Sequence, residues 1–164
     1  MIKLKDILFE SDGEELDILK PRRSGEERNK NYLVAVQKQI QDYIKKGSRG
    51  HLDLRDAPIQ TLPDNLTKVG GSLYLSRSYI VELPDSLSVK GDLYLYEAPI
   101  KTLPDNLTVG GNLFLSYTPI QELPDSLSVE GDLYLRNTPL AKKYTREQLK
   151  QLLPGVKGTI NRWD

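Results

Sequence analysis

The chain has 164 residues, with 23 basic and 23 acidic side chains, one histidine and no cysteine. This length suits one domain with a small appendage, and the lack of cysteine excludes disulfides, thiolate metal sites and cysteine nucleophiles. No apolar run approaches the roughly 20 residues that span a bilayer. Residues 51–140 carry 6 basic and 12 acidic side chains, a net charge of −6 that repels nucleic-acid phosphates. We therefore expect an intracellular protein without a nucleic-acid or membrane partner.

The first ten residues, MIKLKDILFE, alternate charged and apolar side chains and lack the uninterrupted apolar stretch of a secretory signal. They resemble the amino-terminal capsid-targeting peptides of T-even-type tailed phages, which a prohead protease cuts after a Leu/Ile-x-Glu triplet. Leu8, Phe9 and Glu10 supply that triplet here as a candidate processing site. The resemblance implies a phage-encoded protein in the cytoplasm of a bacterial host or in the virion interior. The alternative is a short amphipathic helix that docks on this chain or on a partner.

The next two segments are predicted to be a linker and a helix. Residues 1–23 form the N-terminal peptide with a mobile linker, and residues 24–50 form an N-terminal capping helix. Ser24 and Glu27 have the spacing of a capping box, and Gly47 suits a helix terminator. One apolar stripe repeats at helical spacing, formed by Leu33, Val36, Ile40, Tyr43 and Ile44. We expect this stripe to cover the open end of the element that follows.

Residues 51–140 contain four copies of a unit of about 20 residues and a decaying fifth. Their first leucines are Leu52, Leu73, Leu93, Leu113 and Leu133, at spacings of 21, 20, 20 and 20 residues. Apolar residues take every second position in segments such as LSVKGDLYL, which predicts a strand with one buried face. The central glycine indicates a bend where no side chain fits, and prolines such as Pro99 and Pro104 mark the corners because they lack the N–H donor.

Stacking of these units predicts the fold. One coil cannot bury its leucines alone, whereas stacked coils pair parallel strands about 4.8 Å apart. The predicted fold class is α+β, a short parallel β-solenoid of about five coils with N-terminal and C-terminal helical caps. The unit resembles the leucine-rich repeat through Leu93, Leu95, Ile100 and Leu103–Pro104. A plain parallel β-solenoid is the alternative, because alanine, serine or threonine stands where that repeat has asparagine.

Residues 141–164 are predicted to form the C-terminal cap. Thr145 and Gln148 have capping-box spacing, and Pro154–Gly155 ends the helix that they begin. The apolar side of this helix is expected to contain Leu149, Leu152 and Leu153. Beyond it, Ile160 and Trp163 are expected to fix the tail.

The sequence predicts no catalytic, cofactor-binding or metal-binding residue. An aspartate recurs in each LPD corner, at Asp64, Asp85, Asp105 and Asp125. Calcium needs about six to eight converging oxygens, so we expect instead that each carboxylate accepts hydrogen bonds from the amides just ahead. His51 is the single histidine and has no identifiable partner for general-base chemistry, which predicts a structural role.

The outward aromatic residues are the predicted partner-binding surface. The middle position of each L-x-L triplet and the two positions after it supply Tyr74, Tyr94, Tyr96, Phe114, Tyr117, Tyr134 and Arg136. Two compatible interpretations stay open: cross-strand stabilisation by stacked rings, and a recognition surface, since tyrosine and arginine are enriched where proteins bind each other. We expect a non-enzymatic protein–protein interaction module without a cofactor, in an oligomeric state that the sequence does not indicate.

Two other functions remain as alternatives. The first is a structural or internal virion protein, directed to the capsid by its N-terminal peptide. The second is the recognition part of a bacterial effector, because the LPD repeats resemble those of effector ubiquitin ligases. Those ligases use a catalytic cysteine on an added domain, whereas this chain contains no cysteine.

Overall fold

The computed structural model describes residues 25–162. The processing triplet Leu8–Glu10, the capping residue Ser24 and the tail residue Trp163 lie outside these described residues. Three helices are present in the described part: α1 at Gly25–Lys45, α2 at Pro139–Lys143 and α3 at Arg146–Leu152. Ten strands of two residues each lie among them: β1 Leu52–Asp53, β2 Lys68–Val69, β3 Leu73–Tyr74, β4 Ser88–Val89, β5 Leu93–Tyr94, β6 Thr108–Val109, β7 Leu113–Phe114, β8 Ser128–Val129, β9 Leu133–Tyr134 and β10 Ile160–Asn161.

The strands form two parallel sheets, which we call sheet A and sheet B. Sheet A has the order β1-β3-β5-β7-β9-β10, and sheet B has the order β2-β4-β6-β8. Each strand aligns with the equivalent strand of the next coil, so that Leu93 lies between Leu73 and Leu113. Four turns contribute a strand to both sheets, whereas β1 and β10 add single strands at the two ends of sheet A. The predicted α+β class with a parallel β-solenoid is therefore confirmed.

The core consists of columns of equivalent apolar side chains. Both leucines of each L-x-L triplet are fully buried in the middle coils, as are the sheet B valines and the isoleucine that follows each corner. Burying one such side chain stabilises the fold by about 1.5–3 kcal/mol. Every coil places the same residue type at the same depth. Each core side chain therefore buries apolar surface against the equivalent side chains of the coil before it and the coil after it.

A column of glycines brings neighbouring coils closer than side chains would allow. A Cβ atom on Gly111 would lie 2.9 Å from the carbonyl carbon of Gly91 and 3.0 Å from the amide nitrogen of Asp92. The Gly111 amide instead donates a hydrogen bond of 3.0 Å to the Gly91 carbonyl. The predicted bend without room for a side chain is confirmed here.

The LPD corners are closed by the backbone. The amide of Leu107 donates to the carbonyl of Pro104 at 3.2 Å, and the other three corners repeat this bond. Among the described residues, none donates a hydrogen bond to the carboxylates of the LPD aspartates, which are exposed. The expected side-chain turn is therefore wrong, and a backbone turn takes its place.

α1 covers the first coil. Val36 and Ile40 are buried in the solenoid core, and Leu33, Tyr43 and Ile44 pack against it, which confirms the predicted apolar stripe. The Tyr43 hydroxyl lies 3.0 Å and 2.8 Å from the carbonyl oxygens of Ser48 and Gly50, and it accepts a hydrogen bond from the Gly70 amide at 3.2 Å. Burial raises the pKa of Tyr43, partly offset by the Gly70 bond. No helix in residues 25–162 is long and apolar enough to cross a membrane.

The C-terminal cap contains two short helices. The predicted capping box of α3 is confirmed, with Thr145 and Gln148 bonded to each other's amides at 2.8 and 3.2 Å. α2 was not predicted; it begins after Thr138, whose hydroxyl accepts a hydrogen bond from the Ala141 amide at 3.1 Å. The predicted apolar face is wrong at one position, because Leu152 is 46% exposed.

After α3 the chain returns to the solenoid. Val156 bridges to Val129 of sheet B, and Ile160 pairs with Leu133 of sheet A. The segment V-K-G-T-I at residues 156–160 thus takes the place of the V-x-G-x-L segment of the other coils, with isoleucine instead of leucine. The expected fixation of the tail by Ile160 is confirmed, since this side chain is 1% exposed. The tail thus forms a further partial coil.

Candidate functional site

The outward side chains of sheet A form a continuous stack of aromatic rings, which we call the aromatic stack: Tyr74, Tyr94, Phe114 and Tyr134. Neighbouring ring centroids are 4.8, 4.5 and 4.6 Å apart, and the rings are within 12° of parallel. This spacing follows from the parallel register, since equivalent residues of paired strands lie about 4.8 Å apart. All four rings are half-buried.

The N-terminal end of the stack is covered by two side chains of the first coil. The Arg55 guanidinium lies 5.5 Å from the centre of the Tyr74 ring, and the His51 ring lies 6.1 Å from it at a tilt of 51°. At the other end Asn161 aligns with Tyr134. The faces of the Tyr74, Tyr94 and Phe114 rings are therefore occupied by neighbours within the chain, and their edges remain for contact with another molecule.

One side of the stack carries a ladder of hydrogen bonds between coils, which we call the polar ladder. It begins at His51, whose Nδ1 accepts a hydrogen bond from the Ser72 amide at 2.9 Å. Each later member accepts from the amide one coil further on: Ser72 from Asp92 at 3.1 Å, Asp92 from Asn112 at 2.7 Å, Asn112 from Asp132 at 2.8 Å, and Asp132 from Thr159 at 2.7 Å. The expected structural role of His51 agrees with this contact.

Sequence reasoning missed the polar ladder. The available signal is that the residue before every L-x-L triplet has a side-chain acceptor, whatever its charge or size. A carboxylate at that position in a single strand is typical of a solvated residue. Only the comparison of equivalent positions in all coils indicates a shared hydrogen-bonding role.

The polar ladder also contacts the aromatic stack. The Tyr94 hydroxyl donates to the Asp92 carboxylate at 3.0 Å, and the Tyr134 hydroxyl lies 3.4 Å from the Asp132 carboxylate. Burial, followed by the bond to Asp92, raises the pKa of Tyr94 to about 12. Burial and the charge of Asp132 also raise the pKa of Tyr134. These carboxylates fix the orientation of two rings.

The opposite side of the stack carries a small cluster of aromatic and cationic groups. The rings of Tyr96 and Tyr117 are 5.2 Å apart at 64°, an edge-to-face contact. The Arg136 guanidinium lies 5.8 Å from the centre of the Tyr117 ring. With the aromatic stack, these residues place all seven predicted partner-binding side chains on one face of the solenoid, which we call the aromatic face.

The edge of the aromatic face is a column of turn residues, which we call the corner residues. All have positive φ: Asp56 (57°), Arg77 (56°), Glu97 (57°), Tyr117 (64°) and Asn137 (54°). Each is the third residue of a turn in which the next amide bonds back to the second leucine of L-x-L, as Ser78 does to Leu75 at 3.2 Å. Glycine or asparagine usually fills this position, and the left-handed conformation costs other residues roughly 1–2 kcal/mol.

Two exposed ion pairs lie at the N-terminal end of the aromatic face. Arg55 and Asp53 are 2.5 Å apart, and Arg77 and Asp56 are 2.7 Å apart. Hydrogen bonding to Arg55 lowers the pKa of Asp53, and hydrogen bonding to Arg77 lowers the pKa of Asp56. Exposed pairs of this kind contribute about 0–1 kcal/mol, so their main effect is to orient side chains on the surface.

Other candidate features lie away from the aromatic face. A cavity of about 730 Å³ lies between α1 and the first two coils and is lined by Leu33, Ile40, Ile59 and Tyr79 among others. Within residues 25–162, no group of three or more histidine, aspartate or glutamate side chains is arranged to hold a metal ion. The aromatic face is therefore the surface on which a functional hypothesis can be built.

Comparisons with protein-family models, with curated proteins and with solved structures gave no match for this chain.

Proposed function

We propose that this protein is a non-enzymatic protein–protein interaction module that binds a partner through the aromatic face. The observation that carries this proposal is the pairing of a rigid scaffold with variable side chains. The aromatic stack and the polar ladder hold each coil in one register, while the positions just beyond them differ from coil to coil. The partially exposed Tyr96, Tyr117 and Arg136 supply the residue types that dominate binding energy in protein interfaces.

We also propose that the 20-residue unit is a variant of the leucine-rich repeat. Ser78, Thr118 and Thr138 stand where that repeat has asparagine, and each hydroxyl donates to the carbonyl three residues earlier at 2.7–2.8 Å. These hydroxyls satisfy a buried carbonyl within their own coil. In these three coils a short hydroxyl side chain supplies this contact, whereas Ala57 and Ala98 at the equivalent positions of the other two coils have no side-chain donor.

Site-specific photo-crosslinking tests the proposal. A benzophenone amino acid is placed at Ser116 on the aromatic face, or at the exposed Thr108 on sheet B as the matched control. We expect one host protein to be crosslinked from position 116 and not from position 108. The same adduct should disappear from a Tyr117→Ser/Arg136→Ala background. Equal crosslinking from both positions would reject the aromatic face as the binding surface.

A structural or virion-internal role is the second candidate, supported by the Leu8-Phe9-Glu10 triplet in the first ten residues. If this role applies, mass spectrometry of mature particles will find a chain that begins at Ser11. Absence of the chain from purified particles would remove the candidate. A role as the recognition part of a bacterial effector requires a separate catalytic domain, since this chain has no cysteine.

A further inference from the structure

Three consecutive corner residues have side chains that the local backbone does not favour. Arg77, Glu97 and Tyr117 have φ of 56°, 57° and 64°, although glycine, asparagine and aspartate are the types enriched in this region. Glycine would adopt the turn at no steric cost. All three side chains are exposed, so core packing does not explain them.

Contacts within the chain do not explain these residues either. The pair between Arg77 and Asp56 is exposed, with 54% and 58% of the two side chains accessible, and such pairs stabilise little. Glu97 interacts with the hydroxyl of Tyr96, which raises the pKa of Tyr96. Tyr117 packs against Tyr96 and Arg136 but stays 38% exposed. These contacts orient the three side chains without burying them.

Their spacing matches one kind of partner element. Successive coils lie about 4.8 Å apart, so two steps cover about 9.6 Å along the solenoid axis. Two turns of an α-helix cover about 10.8 Å, whereas side chains on one face of a strand cover about 13 Å in two steps. A helix parallel to the solenoid axis therefore presents one side chain to each corner residue, and a strand does not.

We propose that Arg77, Glu97 and Tyr117 determine specificity for an α-helix of the partner protein. In chain order they present a cation, an anion and an aromatic ring. The complementary helix carries an acidic residue, then a basic residue one turn later, then an apolar residue after another turn. This inference rests on the proposed function and specifies the partner's recognition element.

Stapled helical peptides test the proposal with the full chain. The matched peptide carries Glu, Lys and Leu at positions i, i+4 and i+7, and the control peptide has Glu and Lys exchanged. Two-dimensional NMR titration should show shifts at the amides of Arg77, Glu97 and Tyr117 with the matched peptide. The exchanged peptide should bind about tenfold more weakly, because like charges then face each other. Equal affinity for both peptides, or shifts confined to other surfaces, would overturn the proposal.

A charge-reversed variant gives the decisive comparison. Arg77→Glu/Glu97→Arg should invert the preference, so that the exchanged peptide binds more tightly. The matched control is Lys68→Glu/Glu130→Lys, a reversal on the sheet B side, which should leave the preference unchanged. The crosslinked host protein can also be titrated against wild type and Arg77→Glu/Glu97→Arg. If it binds both with the same affinity, helix recognition by the corner residues is rejected, while the proposed function as an interaction module is retained.

Discussion

The amide of Asn112 donates a hydrogen bond of 2.7 Å to the carboxylate of Asp92, which lies one coil earlier. The same side chain accepts the hydroxyl proton of Tyr94 through its other oxygen at 3.0 Å. Asp92 therefore joins two coils through the polar ladder and orients a ring of the aromatic stack. This dual contact makes it the most informative position for testing how the scaffold is held together.

Replacement of Asp92 by alanine should destabilise the solenoid. The variant leaves the Asn112 amide without its acceptor in a half-buried position, and an unsatisfied donor costs about 1–3 kcal/mol. Urea unfolding followed by circular dichroism measures this loss. Asp92→Asn is the matched control, because asparagine supplies the acceptor at the equivalent position one coil later. If the asparagine variant loses as much stability as the alanine variant, the hydrogen bond is not the cause.

Gly111→Ala should also destabilise the fold, for a steric reason. The added methyl group would lie 2.9 Å from the carbonyl carbon of Gly91, so the coils must separate locally. Overpacking of this kind costs about 1–3 kcal/mol, occasionally more. Thr108→Ala in the same coil is the control, since this residue is exposed. An unfolding midpoint for Gly111→Ala equal to that of Thr108→Ala would contradict the close approach of the coils.

The repeat pattern predicted the scaffold well, because burial of alternate residues is a local property that each unit displays. The columns of Leu93 and Leu113, the glycine bend and the outward position of Phe114 all followed from one unit and its period. The predicted partner-binding residues could be placed on one face for the same reason. Their individual contacts, such as the ion pairs and the closure of the stack by Arg55, depend on neighbouring coils and were not predictable from one unit.

Two features required information beyond the 20-residue period. The polar ladder joins residues one coil apart, so that Asp92 has no visible partner within its own unit. The last partial coil is displaced because α2 and α3 lengthen the connection: Ile160 follows Leu133 by 27 residues, where the repeat predicts 20. The segment V-K-G-T-I at residues 156–160 keeps the valine and glycine of the repeat, but it lies outside the fixed period and ends in isoleucine.

The ionisation of Tyr94 provides a test of its environment. Its pKa is raised to about 12 from an ordinary value of 10.0, by burial and then by the bond to Asp92. The protonated phenol is therefore favoured in the folded state, and stability is fully present below pH 10 and is lost as the pH rises toward 12. With ¹³C-labelled tyrosine, the Tyr94 ring carbon should still report a protonated phenol at pH 11. Asp92→Asn should lower the midpoint, and an unchanged midpoint would show that the carboxylate has no influence.

Glu97→Asn should raise the stability of the protein. Glu97 has a φ of 57°, and asparagine already occupies the same corner at Asn137 with a φ of 54°. Relief of the left-handed conformation should increase the free energy of unfolding by about 1 kcal/mol. Glu97→Gln removes the charge without the asparagine preference and should change stability little. If both variants stabilise equally, charge rather than backbone conformation is responsible.

Two adjacent leucines in the C-terminal cap should differ strongly in how much stability the same substitution costs. Leu153 is 5% exposed and belongs to the core, whereas Leu152 is 46% exposed. Leu153→Ala should cost about 2–5 kcal/mol, because it leaves a cavity beneath the cap. Leu152→Ala should change stability by no more than about 0.5 kcal/mol, as expected at an exposed position. Urea unfolding of the two variants distinguishes a cap whose leucines all face the core from one in which only Leu149 and Leu153 do. Similar losses for both would mean that Leu152 is buried in solution.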